Sequence, residues 1–151
     1  MRHILDTRAI YNRNTKKYIR FQLNEWRSQE LRKANYTCFI SGKQSTKKHS
    51  FPIDVHHLEV TYDSILMKAH KELGLTYKEL TTDYEPEDLK RLVEKVKELH
   101  KNTPTLCLSR NLHEKIHYLY GNNPTLEQIR EFKRSYSIRH YKTCNANHKK
   151  R

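Results

Sequence analysis

Cysteine is scarce in this chain of 151 residues, where Cys38, Cys107 and Cys144 form an odd, widely spaced set. Small secreted scaffolds held by disulfides carry dense, even sets, so that class is excluded and the thiols are expected to be reduced. Long apolar runs are missing too. No uninterrupted stretch approaches the roughly 20 residues that span a bilayer, and the opening Met1-Arg2-His3-Ile4-Leu5-Asp6 lacks the apolar core of a signal peptide. The expectation is a cytosolic protein without membrane contact. There is no internal repeat and no low-complexity tract. Carboxylates are the third scarcity: 17 Asp and Glu stand against 30 Lys and Arg, for a net charge of +13 and a pI near 9.7. Such an excess predicts a polyanionic partner, with nucleic acid the first candidate.

The charge sits at the two ends. Residues 1–48 carry 12 basic against 3 acidic side chains, and residues 105–151 carry 10 against 3, whereas residues 49–104 carry 8 against 11. In the first segment the cations are interleaved with Tyr11, Tyr18, Phe21, Trp26 and Tyr36, as a phosphate-facing region would be. The length fits one domain.

Periodicity and turn signals give the elements. Leu23, Trp26, Arg27, Leu31 and Ala34 fit an amphipathic helix over roughly Leu23–Ala34, closing a basic N-terminal region of residues 1–35. Tyr36–Ile40 reads as a strand turning at Gly42, and Ile53–Val60 as the next, so residues 36–60 are expected to form an antiparallel hairpin. Residues 61–104 read as a helical insertion, with helical spacing over Ser64–Leu73 and Glu87–His100, the latter opened by Pro86. Residues 105–121 hold Leu106-Cys107-Leu108 and a helix stopped by Gly121. In residues 122–151, Thr125 and Gln128 form a capping box for a helix over Leu126–Tyr136, followed by a basic tail ending in Lys149-Lys150-Arg151.

Four histidines stand out among ten. His56 and His57 are adjacent in Ile53–Val60, where neighbouring side chains point to opposite faces, so the two suit different jobs: one can bind metal and the other water. His113 and His117 lie four residues apart, about 5–6 Å at Cβ on one face of a helix. Neutral imidazole is the commonest protein metal ligand and also takes a proton readily near neutral pH. A ββα arrangement that sets the strand against that helix would supply three imidazole ligands with open positions for a phosphate oxygen.

Across most of its length the chain resembles the HNH, or ββα-metal, endonucleases, specifically the small stand-alone proteins common in phage genomes. The resemblance is carried by Trp26-Arg27, Asn35-Tyr36-Thr37-Cys38 with Ser41-Gly42-Lys43, and Val55-His56-His57-Leu58. It resumes at Leu106-Cys107-Leu108, Leu112-His113-Glu114-Lys115-Ile116-His117 and Tyr120-Gly121-Asn122-Asn123-Pro124-Thr125, running to Phe132. It implies an α+β fold with a two-stranded antiparallel hairpin and a helix at its core, a helical insertion and flanking helices. It also implies one divalent metal ion (Mg, Mn, Ni or Zn) on His56, His113 and His117, and His57 as general base for phosphodiester hydrolysis in DNA, most readily double-stranded. The family's central Asn corresponds best to Asn102, with Asn111 and His100 as alternatives, and Arg110 or Lys115 would assist.

The expected phosphate contacts in the first basic segment are Lys16, Lys17, Arg20 and Arg27, then Lys43, Lys47 and Lys48 in the loop. In the last segment they are Lys115, Lys133 and Arg134. Many relatives hold a structural zinc on two Cys-x-x-Cys pairs, but here Cys38 is followed by Ser41 and Cys107 by Arg110. Two thiolates cannot close a tetrahedral zinc site, so packed thiols are expected. Two alternatives stand beside the nuclease: a non-cleaving nucleic-acid-binding protein with a structural zinc, and an accessory protein of phage DNA packaging.

Overall fold

The structure, a computed structural model, describes residues 13–148. Tyr11 and the end of the basic tail, Lys149–Arg151, lie outside them. In chain order the elements are α1 (Thr15–Gln22), α2 (Asn24–Lys33), β1 (Ile53–His57), α3 (Tyr62–Leu73), a 3-10 turn (Thr81–Asp83), α4 (Pro86–Lys101), β2 (Thr105–Ser109), α5 (Arg110–Tyr120) and α6 (Leu126–His148). The fold is mixed α+β with one two-stranded antiparallel sheet. No described helix is long and apolar enough to cross a membrane. Chain contacts group the described residues into two compact units, one of residues 13–29 and 62–103, the other of residues 30–61 and 104–148.

The first unit is helical. Leu89, Leu92 and Val96 recur at helical spacing along α4 and meet Ile19, Leu66 and Ala69 in a core whose members are all but fully buried. Pro86, Glu87 and Asp88 open α4, where a missing N–H costs nothing and acidic charge suits the helix dipole. Two buried histidines here are paired. The His70 Nδ1–H donates to the Leu66 carbonyl at 2.7 Å, its Nε2 accepts from the Tyr84 hydroxyl at 2.7 Å, and that oxygen accepts from the Lys78 N–H at 2.8 Å. His100, fully buried, donates to the Val96 carbonyl at 2.7 Å and meets Trp26 edge-on at 4.7 Å.

The second unit carries the sheet. β1 pairs with β2 in full register, Ile53 opposite Ser109 and His57 opposite Thr105, so the expected hairpin between Tyr36–Ile40 and Ile53–Val60 is not the one formed. The reason lies at residues 35 and 36, both at φ of 52°, which ends any extension before a strand can start. From there the chain closes a compact turn: the Cys38 N–H donates to the Lys43 carbonyl and the Gly42 N–H to the Cys38 carbonyl, each at 2.9 Å. The Phe39 N–H reaches the Cys107 carbonyl at 2.9 Å, pinning the turn to β2. β1 is also shorter than expected, because Glu59 turns out of it at φ of 68°.

β2 runs into α5 without a loop, and the first N–H of the helix, that of Arg110, donates to the Pro52 carbonyl at 3.0 Å. Leu112 and Ile116 of α5 pack with Leu108, Cys38 and Ile129 in a second core. The Thr125–Gln128 capping box is present in both directions, at 2.9 and 3.2 Å, and opens an α6 that runs beyond the expected Tyr136.

Leu92 is fully buried in the first core, so Leu92→Ala should leave a cavity and cost about 2–5 kcal/mol, measured by urea denaturation.

Candidate metal centre

Alternation along β1 places Asp54 and His56 on one face, opposite Leu108 and Leu106, and His57 on the other, opposite Thr105. α5 lies against the sheet with His113 and His117 one turn apart. His56 Nδ1 comes within 3.2 Å of His113 Nε2, and His117 Nε2 within 2.9 Å of the same atom. All three ligand nitrogens lie within 4.8 Å of one another, the one such group of His, Cys, Asp or Glu among the described residues.

The outward nitrogens decide what the inward ones can do. The His113 Nδ1–H donates to Asp54 Oδ2 at 3.2 Å and the His117 Nδ1–H to the Gly121 carbonyl at 2.9 Å, partners that can only accept. With both rings neutral, each Nε2 therefore turns a lone pair toward the other across 2.9 Å. Two facing lone pairs repel unless a cation lies between them. Nitrogens sharing one ion at about 2.0–2.1 Å each sit about 2.9–3.4 Å apart, so the spacing fits a divalent metal. His56 is buried and His113 and His117 half-buried, so the group is partly exposed to solvent.

Electrostatics keep His56 and His113 in ligand form. Burial opposes charge on Asp54, but hydrogen bonds from Arg110 and His113 outweigh it and hold the carboxyl below its usual range. Burial, with the nearby His113, pushes His56 down to about 4, while the Pro124 carbonyl pulls weakly the other way. Its buried Nε2 makes no hydrogen bond of ordinary geometry. His113 is lowered by burial, in part offset by Asp54. Neutral imidazole is the form that binds metal.

Arg110 grips Asp54 Oδ1 through Nη2 at 3.1 Å and Nε at 3.4 Å, so it acts on His113 through the carboxylate they share. Asp54 went unnoticed in the sequence, although its position two residues before His56 on a strand puts both side chains on one face. The supporting carbonyl of Gly121 could not be read from side chains at all. Asn102 caps α4, exposed, in the other unit, where His100 is a core residue; Asn111 lies exposed on α5.

The basic residues divide between the units. Lys16, Lys17, Arg20 and Arg27 belong to the first, Lys16 paired with Asp63 at 3.4 Å and Arg20 set 4.6 Å over the Tyr62 ring. Lys43, Lys47 and Lys48 are exposed in the loop of the second, and Lys115 is exposed on α5. Lys133 lies 4.2 Å over the Phe39 ring, and Arg134 is 3.6 Å from Glu127. Cys38 and Cys107 are buried free thiols. Burial pushes Cys107 up to about 11, whereas N–H and hydroxyl donors from Ser109 and Ser41 outweigh the burial of Cys38 and lower it.

Asp54→Ala should free the His113 ring and weaken Mn or Zn binding about 10- to 100-fold by calorimetry, with one site per chain retained. Acid should also weaken the metal-free protein. Unfolded, His56 takes up a proton near pH 6.5, but folded only near pH 4. The stability its neutral burial confers is therefore complete above pH 6.5 and falls as pH drops toward 4, by up to about 3 kcal/mol. Urea midpoints in chelator at about pH 7 and about pH 4.5 should show the loss, and His56→Gln should reduce it.

Compared with protein-family models, with curated proteins and with solved structures, the chain matches none.

Proposed function

We propose that this chain is a metal-dependent DNA endonuclease of the HNH type, hydrolysing phosphodiester bonds with a single His-ligated divalent ion. The observation that carries this reading is the convergence of three imidazole nitrogens, those of His113 and His117 with their tautomers fixed by Asp54 and Gly121, and a fourth histidine next to His56 on β1. A closed structural zinc takes four protein ligands, and three with an open side is the pattern of a site that admits a substrate oxygen. The net charge of +13 suits a polyphosphate substrate.

In this reading His56, His113 and His117 hold the ion, and Asp54 keeps His113 aimed at it. The bound ion would supply positive charge for the negative charge that develops on the phosphate and leaving oxygen. An all-imidazole set favours Mn, Ni or Zn over Mg, which prefers oxygen ligands. His57 would take the proton from the attacking water, a job for which neutral histidine is suited near pH 7. The half-exposed Arg110 guanidinium, anchored by Asp54, would steady a non-bridging phosphate oxygen. The basic residues of both chain ends would hold the DNA backbone.

Supercoiled plasmid incubated with the protein and Mn, Ni, Zn or Mg should be nicked, and chelator should abolish it. His57→Ala should retain metal binding while nicking falls about 100- to 10,000-fold, the usual worth of a general base. His113→Ala should instead regain some nicking as metal concentration rises. No nicking with any of the four metals, from protein that binds metal stoichiometrically, would overturn the reading.

A further inference from the structure

α5 has three faces. One carries His113 and His117, a second sends Leu112 and Ile116 into the core, and the third presents Lys115, Tyr118 and Leu119. At 3.6 residues per turn Lys115 is about 200° around the helix from His113, so the third face looks away from the imidazoles. Two depressions of about 440 and 550 Å³ open along it, within the second unit, and they adjoin because both are lined by Lys115 and Tyr136.

The lining has one sign of charge. Lys43, Arg110 and Lys115 border the first depression, and Lys115 and Arg139 the second, with no carboxylate in either. It is also rich in flat rings. Tyr118, Phe132 and Tyr136 line the second depression, Tyr118 being 88% exposed and the Phe132 and Tyr136 rings lying within 18° of parallel. Tyr118 does not stand alone, because the exposed Leu119 lines the same depression, and adjoining exposed apolar side chains mark interaction sites where single ones do not.

We propose that this groove binds an unpaired nucleic-acid strand, separately from the metal centre. Cations spaced along the groove match the phosphates of a strand, and aromatic faces between them match its bases. A duplex hides those base faces in its own stack, so duplex DNA would engage only the cations. An acidic protein segment would likewise leave the rings unmatched. Arg110 borders both the groove and the candidate metal site, but no group that lines the groove is among the three imidazoles, and the test substitutes only Tyr118 and Lys115, so the groove is read independently of the proposed hydrolysis.

The test uses the full chain in chelator, so that no cleavage intervenes, with fluorescein-labelled dT20 followed by anisotropy. Hairpin duplex and polyglutamate serve as competitors. dT20 should bind more tightly than either competitor. Tyr118→Ala, at a site too exposed to disturb the core, should weaken dT20 binding about 5- to 100-fold, the worth of one stacked base. Lys115→Glu should weaken it as well and reduce the slope of log affinity against log salt by about 0.7 or more. Unchanged affinity in Tyr118→Ala would overturn the proposal. So would polyglutamate displacing dT20 at equal concentration of charge, which would mark the groove as a site for an acidic protein. Metal stoichiometry of both variants reports their folding, and the plasmid assay in metal reports the nuclease reading independently.

Discussion

One carboxylate ties the strand to the helix at the candidate metal site. Asp54 accepts from His113 with one oxygen and from Arg110 with the other, so a residue of β1 sets the orientation of two residues of α5. Its charge is kept by those same donors, and its negative charge in turn favours the N–H tautomer of His113 that leaves Nε2 bare. Remove it and the ring has no reason to face His117. The Gly121 carbonyl does for His117 what Asp54 does for His113, and it can do so because Gly121 adopts φ of 85° with ψ of −160°, a conformation open in practice only to glycine. The helix stop and the ligand support are therefore the same residue.

Much of this site was legible in the sequence. Two adjacent histidines on a strand must face apart, and two at a spacing of four on a helix must face together, so periodicity pairs His113 with His117 and leaves one of His56 and His57 to join them; that it is His56 was implied by the resemblance. What supports them was not legible, because an orienting acceptor is recognised only once the nitrogen it serves has a place. The strand pairing was misread for a different reason. Tyr36–Ile40 has the composition of a strand, but local turn chemistry at Asn35, Tyr36 and Gly42 overrides it, and β1 finds its partner beyond the insertion. α1 was missed because only Tyr18 and Ile19 of its apolar residues are buried, too few to show a period. The helices of residues 62–101 were expected as a packing insertion, and they pack with Tyr18 and Ile19 of α1 in one core.

Charge and aromaticity are distributed with some economy on α5. Eleven residues present two candidate metal ligands, core packing and a basic aromatic surface on separate faces. A substitution on one face can therefore be interpreted without assuming damage to the other two, which is seldom possible when a site is built from loops.

The pairing of β1 with β2 also fixes the order in which the chain can mature. His56 emerges from a ribosome well before Leu106, and residues 58–104 must be made and gathered before the two strands can meet. Closing so long a loop is slow when nothing shortens it, and helices of local sequence fold far sooner than distant strands pair. α3 and α4, packed against each other, are the means of shortening it. Until β2 arrives, β1 is an unpaired edge carrying exposed imidazoles. The candidate metal site is thus completed only when α5 follows β2 into place, and a product that stops before β2 would carry His56 without His113 and His117.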